Sequence, residues 1–158
     1  MRKSIGDDYC FLLRLHHLIA EEIDTSELDG FVINVSDYDE PSELMLISDI
    51  LITDYSSIFF DYANLNRPIL FYMYDLEQYC NDLRGFYLDP EKELPGPIVK
   101  TFEDLLSNIK NIDQINMQYS AKYRDFKQKF CNLESGTSAK SVIDEVFGEL
   151  PLITGKNK

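Results

Sequence analysis

Apolar residues in this chain come in short continuous runs, and between the runs they recur at helical spacing. Residues 9–13, 31–33, 50–52 and 69–73 each have strand length and are rich in aromatic and aliphatic side chains. Continuous rather than alternating hydrophobicity suits strands covered on both faces, as in a parallel sheet. The first strand is expected to run on to His16 and the second to span residues 30–36. After Ser57, the residues Ile58, Phe59, Tyr62, Ala63 and Leu65 form one helical stripe, with Ser57, Asp61 and Asn64 opposite.

Shorter elements fill the intervals. Residues 17–23 read as a short helix or irregular connection, and Ser42 is placed to cap a helix over residues 43–48. Residues 75–83 read as another short helix, and residues 90–97, with Pro90, Pro95, Gly96 and Pro97, as an extended loop. Thr101, with Asp104 three positions on, opens a helix whose buried stripe is Phe102, Leu105, Leu106 and Ile109. Tyr119, Tyr123, Phe126 and Phe130 mark a further helix. Residues 135–138 open a last one with Val142, Ile143, Val146, Phe147 and Leu150 on its apolar face. Strands alternating with helices predict a Rossmann-like, doubly wound α/β domain over residues 1–150, followed by a flexible tail at 151–158. Ligands of such sheets bind beyond the carboxyl ends of the strands, where the topology gathers His16, Asp54 to Ser57 and Asp75.

Composition narrows the function classes. A length of 158 residues suffices for one domain with a full core, and 44% apolar against 27% charged residues argues against disorder. Fifteen basic against 28 acidic residues leave a net charge of −13. That balance disfavours non-specific binding to nucleic acid or to anionic lipid. No apolar run approaches the roughly 20 residues of a spanning helix. The N-terminal Met1-Arg2-Lys3 has no signal-peptide core behind it, so a cytoplasmic location is expected. Cys10, Cys80 and Cys131 form neither a zinc pattern nor a disulfide framework and read as buried structural thiols. No His, Cys and acid cluster has metal-ligand spacing.

The chemistry concentrates in residues 48–64. An apolar strand ends at Thr53-Asp54-Tyr55-Ser56-Ser57 and a helix follows at once. Hydroxyls at a strand-to-helix turn make a candidate phosphate site, because unpaired backbone N–H groups and the helix dipole point at the turn. The residues around this turn also carry a resemblance. Leu13-Arg14-Leu15-His16, Ile47-Ser48-Asp49-Ile50-Leu51-Ile52-Thr53-Asp54-Tyr55-Ser56-Ser57 and Phe60-Asp61-Tyr62-Ala63 are three of its blocks. Arg67-Pro68-Ile69-Leu70-Phe71, Tyr74-Asp75-Leu76-Glu77 and Leu83-Arg84-Gly85-Phe86-Tyr87 are the other three. Together they resemble the CDP-glycerol glycerophosphotransferases, which build teichoic acids. Pro95-Gly96-Pro97 and Ser135-Gly136-Thr137 look like further family positions, and the likeness runs over residues 6–147. The block around Asp54 also resembles the nucleotide-binding half of GT-B glycosyltransferases and epimerases.

The resemblance implies a GT-B enzyme of two Rossmann-like halves, with this sequence corresponding to the C-terminal half that holds the donor. That enzyme would transfer glycerol phosphate from CDP-glycerol to a lipid-linked teichoic acid acceptor and release CMP. The family's N-terminal half, which supplies acceptor contacts, membrane association and another catalytic histidine, is absent from this sequence. The full enzyme is expected at the inner face of the membrane. The donor is a substrate, so no cofactor is implied; a Mg²⁺ bridging the diphosphate is compatible with it. CDP-ribitol or another nucleotide as donor, and a truncated interaction module without catalysis, are the alternatives.

Each candidate has a plainer role beside the functional one. Ser56 and Ser57 either cap the helix or bind the diphosphate. Asp54 caps or holds the turn, or meets the ribose, since its charge repels a diphosphate. Asp61 is either a solvated helix residue or a contact to Ser57, glycerol or ribose. In the family the histidine of the Arg-x-His block is linked to catalysis. A protonated His16 would steady charge on departing CMP, with Arg14 on the same strand face and His17 on the other. Arg84 either grips a phosphate or pairs with a carboxylate, and Gly85 permits close approach. Tyr74, Phe86 and Tyr87 either stack on cytosine or pack in the core. Ser135, Gly136 and Thr137 are a candidate second phosphate anchor.

Overall fold

Five short strands carry the apolar runs: β1 (Phe11–Leu13), β2 (Val32–Asn34), β3 (Leu51–Thr53), β4 (Ile69–Tyr72) and β5 (Ile98–Val99). The computed structural model describes residues 1–16, 30–76 and 88–148. β1 pairs in parallel with β2, aligning Phe11 with Val32. β3, β4 and β5 form a second parallel sheet in that order, aligning Leu51 with Ile69 and Phe71 with Ile98.

β4 explains the arrangement. Ile69, Leu70 and Phe71 are fully apolar and buried, and Met73 just beyond them is buried too. Successive strand side chains point to opposite faces. Ile69, Phe71 and Met73 accordingly join one cluster with Phe59, Tyr62, Tyr123 and Phe126. Leu70 joins the other, with Val99, Leu105 and Ile109. Both faces of the sheet are therefore covered, as the continuous hydrophobic run requires. Phe11 and Ile52 pack against the second cluster, so β1 shares its core with the three-stranded sheet.

Seven α-helices are assigned among the described residues: α1 (Arg2–Ile5), α2 (Pro41–Ile47), α3 (Ile58–Tyr62), α4 (Pro90–Glu93), α5 (Phe102–Lys110), α6 (Ile112–Phe130) and α7 (Ser138–Phe147). α3 runs into a 3₁₀ turn at Ala63–Leu65, which ends on Asn66 in the left-handed conformation. α5 starts as its sequence predicts: Thr101 Oγ1 accepts from the Asp104 N–H at 3.1 Å. On α6, Tyr123 and Phe126 are buried, and Phe126 stacks obliquely on Phe59, Phe60 and Phe130.

Several expectations are corrected. β1 ends at Leu13, short of His16. α2 begins with Pro41 at its first turn, so Ser42 is inside the helix rather than its cap. The proline-rich stretch is not wholly extended: Asp89 accepts from the Glu91 and Lys92 N–H groups and caps α4, with Pro90 in the first turn. Phe102 is exposed while Leu105 and Ile109 carry the buried stripe of α5. Val142, Ile143, Val146 and Phe147 are all exposed on α7, and Cys10 is exposed where Cys131 is buried. Residues 17–23, most of 75–83, Cys80, Leu150 and the tail lie outside the described residues.

Candidate functional site

The turn after β3 is built from its own polar side chains, and loosely. Thr53 is the last buried residue; Asp54, Ser56 and Ser57 are exposed. Asp54 Oδ1 accepts from the Ser56 N–H at 3.3 Å, and Ser56 Oγ accepts from the Ile58 N–H at 3.4 Å. Both bonds are long for N–H···O contacts. Ser57 occupies the cap position of α3 with helical dihedrals (φ −75°, ψ −3°), and its side chain makes no capping bond. Ser57 thus presents a hydroxyl that the helix does not use. α3 is only five residues long, so its dipole is weaker than the sequence pattern suggests. Asp61 and Asn64 lie on its exposed side as expected.

One strong bond ties the turn down. Tyr55, half-buried between Asp54 and Ser56, donates from its hydroxyl to Asp75 Oδ1 at 2.5 Å. Asp75 follows β4, so the bond joins the carboxyl ends of adjacent strands. Below it, Arg67 closes the far end of α2. Its Nη1 donates to the carbonyls of Leu46 at 2.7 Å and Ser48 at 2.5 Å. Tyr62 donates to the same Ser48 carbonyl at 2.9 Å, and Tyr123 donates to the Arg67 carbonyl at 2.9 Å. Burial pushes the Tyr62 phenol up to about 12 and raises that of Tyr123 as well.

Arg14 organises the other strand end. Its Nη1 donates to the carbonyls of Tyr38 at 2.6 Å and Val35 at 3.4 Å, holding the loop after β2. Leu15 N–H donates to Ser36 Oγ at 3.0 Å. Arg14 and His16 are both exposed and lie beyond the end of β1. Strict strand alternation therefore does not fix their relative orientation. Tyr74 is exposed, with its ring 5.7 Å from that of Tyr72.

Among the described residues, the second hydroxyl cluster is a unit of its own. Ser135 Oγ and Thr137 Oγ1 lie 2.7 Å apart, flanking Gly136 with φ of +77°, and form a small unit at the start of α7. Thr137 holds the α7 cap position without a side-chain capping bond. Arg84, Gly85, Phe86 and Tyr87 lie outside the described residues. A cleft of about 400 Å³ opens along β5, lined by Gly96, Ile98, Lys100, Tyr119 and Lys122 among others, and none of the described candidates lines it. Among the described residues, no group of three or more His, Cys, Asp or Glu side chains is placed to hold a metal ion. No helix there is long and apolar enough to cross a membrane. The bonds made by Tyr55 and Arg67 were not legible in the sequence, because their partners lie about 20 residues away.

Residues 1–148 match the family described as CDP-Glycerol:Poly(glycerophosphate) glycerophosphotransferase. The chain belongs to that family. It is 47% identical over 147 residues to a teichoic acid poly(glycerol phosphate) polymerase of Bacillus subtilis, covering 93% of this chain and 20% of that protein. It is 48% identical to a teichoic acid glycerol-phosphate transferase of Staphylococcus aureus, covering 93% of this chain and 37% of that protein. The solved structure of the wall teichoic acid polymerase TagF superposes with a TM-score of 0.81 at 44% identity, covering 91% of this chain and 35% of that one. The glycerophosphotransferase family chain described here therefore has the α/β fold with parallel sheets expected for one half of a GT-B-type enzyme. It spans only about a fifth to a little over a third of the length of these relatives. Relatives named for glycerol phosphate share 43–48% identity with it, and those named for ribitol phosphate 30–37%.

Proposed function

We propose that this chain is the donor-binding part of an enzyme that transfers glycerol phosphate from CDP-glycerol to a lipid-linked teichoic acid acceptor. The observation that carries the reading is the family match over residues 1–148, which includes the whole serine turn. In the transfer an acceptor hydroxyl forms a new P–O bond to the β-phosphorus of the donor. The bond from that phosphorus to the bridging oxygen breaks, and CMP leaves with the oxygen. The acceptor proton passes to a base supplied outside these residues.

Within that reaction Ser57 and Ser56 donate to the diphosphate, and the unused Ser57 hydroxyl supports this assignment. Asp54 shapes the turn through the Ser56 N–H and faces the ribose. Asp61 lies along the same exposed helix side and contacts ribose or glycerol. Arg14 sets the loop after β2 and has further guanidinium donors for a phosphate. His16 donates to the leaving CMP and steadies the charge that develops on it. Arg84 and the Ser135–Gly136–Thr137 unit are further phosphate contacts. Acceptor binding and membrane association are assigned to the part of the relatives' length that this chain does not cover.

Calorimetric titration of the chain with CDP-glycerol, CDP and UDP tests the reading. Binding of cytidine nucleotides in preference to UDP is expected, and a folded sample indifferent to all three overturns it. Higher identity to the glycerol-phosphate relatives favours CDP-glycerol over CDP-ribitol, and a competition titration between the two checks that preference.

A further inference from the structure

We infer that Tyr55 and Asp75 are positioning residues that hold the serine turn in its ligand-binding shape; this rests on the donor-site reading above. The turn holds itself weakly. Its internal bonds, Asp54 to the Ser56 N–H and Ser56 to the Ile58 N–H, are 3.3 and 3.4 Å long, and Ser57 adds no capping bond. Its side chains other than Tyr55 are exposed. A turn of that kind samples several conformations unless something outside fixes it.

Tyr55 is that fixture. Its ring packs against the larger core cluster, and its hydroxyl reaches Asp75 at 2.5 Å. An O–H···O⁻ bond of this length belongs to the charge-assisted class, roughly twice as strong as a neutral one. The β3–β4 ladder pairs Thr53 with Phe71, and Tyr55 and Asp75 lie beyond that pair. The bond therefore clamps the two strand ends together past the last ladder contact, with Ser56 and Ser57 immediately after the clamped residue.

The test uses the whole chain and two readouts. Amide hydrogen exchange of ligand-free protein reports the turn itself. In Tyr55→Phe, which deletes one oxygen, the Ser56 and Ile58 amides, the two bonded within the turn, are expected to exchange about tenfold faster, while amides of β4 are unchanged. Calorimetry with CDP reports the consequence. Tyr55→Phe and Asp75→Ala are each expected to weaken binding about tenfold, the double variant no more than either alone, and Asp75→Asn, which keeps an acceptor oxygen, less than threefold. Unchanged exchange in Tyr55→Phe, or losses of CDP affinity that add in the double variant, overturns the inference. If the parent chain binds no CDP yet Tyr55→Phe accelerates exchange at the Ser56 and Ile58 amides, the donor reading fails and the positioning role stands.

Discussion

Gly96 lies against the backbone of Ile69 so closely that a Cβ on it would fall 1.9 Å from the Ile69 carbonyl oxygen. The residue precedes β5, whose neighbour is β4, and the Phe71 N–H donates to the Pro97 carbonyl at 3.0 Å beside it. The glycine is needed for space rather than for an unusual dihedral. Gly96→Ala must push β5 off the central strand, and a loss of about 3 kcal/mol is expected from overpacking of this kind. Urea unfolding of the variant measures it. Gly136 sits at φ +77° with nothing within 4 Å of an added Cβ. Gly136→Ala is therefore expected to cost only about 1–2 kcal/mol, through the backbone alone.

Ser57 separates a capping role from a binding role. Its side chain makes no capping bond, so Ser57→Ala should move the unfolding free energy by less than about 0.5 kcal/mol. If its hydroxyl donates to the donor diphosphate, the same substitution removes a bond to a charged group and weakens CDP-glycerol about tenfold or more. A variant that loses stability and keeps its affinity would instead assign Ser57 to the helix.

The parts of the fold that were legible in the sequence are those with local causes. The residues of β4 are apolar without interruption, and that alone required cover on both faces. Thr101 and Asp104 sit three apart, as an N-terminal cap demands, and α5 starts there. The serine turn was legible because strand, hydroxyls and helix stripe follow one another directly. What the sequence hid depends on competition or distance. Asp89-Pro90 signals a helix start, but the prolines at 95 and 97 point to extended chain, and the single turn of α4 satisfies both. Pro41 fits the first turn of α2 better than Ser42 fits its cap, because a missing N–H costs nothing there. The bond between Tyr55 and Asp75, and those from Arg67 to α2, join residues about 20 positions apart that only the folded sheet brings together. The α7 stripe has helical spacing but meets little protein, which periodicity by itself does not report.

Alkaline pH should destabilise the protein through its buried tyrosines. Burial raises Tyr62 to about 12 and also raises Tyr123, whose hydroxyl is held by the Arg67 carbonyl. An unfolded tyrosine loses its proton near pH 10, as expected for the free side chain. The folded state retains the proton at pH values where the unfolded state has released it, so unfolding free energy falls with rising pH. The contribution is complete below about pH 10 and lost as pH rises through the folded value. Unfolding free energies measured from pH 8 to 12 should show this decline. Tyr62→Phe should make it shallower while lowering stability at pH 8.

The carbonyl of Ser48 offers a sharper test of how the core is wired. It accepts from Arg67 Nη1 at 2.5 Å and from Tyr62 Oη at 2.9 Å, and a carbonyl oxygen has two lone pairs to serve both. Removing one donor leaves the oxygen still bonded; removing both strands it beside the buried Tyr62 ring. Arg67→Met keeps the aliphatic stem, and is expected to cost about 1.5–3 kcal/mol for the charged bonds it deletes. Tyr62→Phe should cost about 1 kcal/mol. The double variant is expected to lose more than the sum, by about 0.5 kcal/mol or more, because only then is the acceptor orphaned. Urea unfolding of the four proteins closes the cycle. Strict additivity would mean that water reaches the Ser48 carbonyl once either donor is gone, and that this junction between α2 and α3 is looser than its bond lengths indicate.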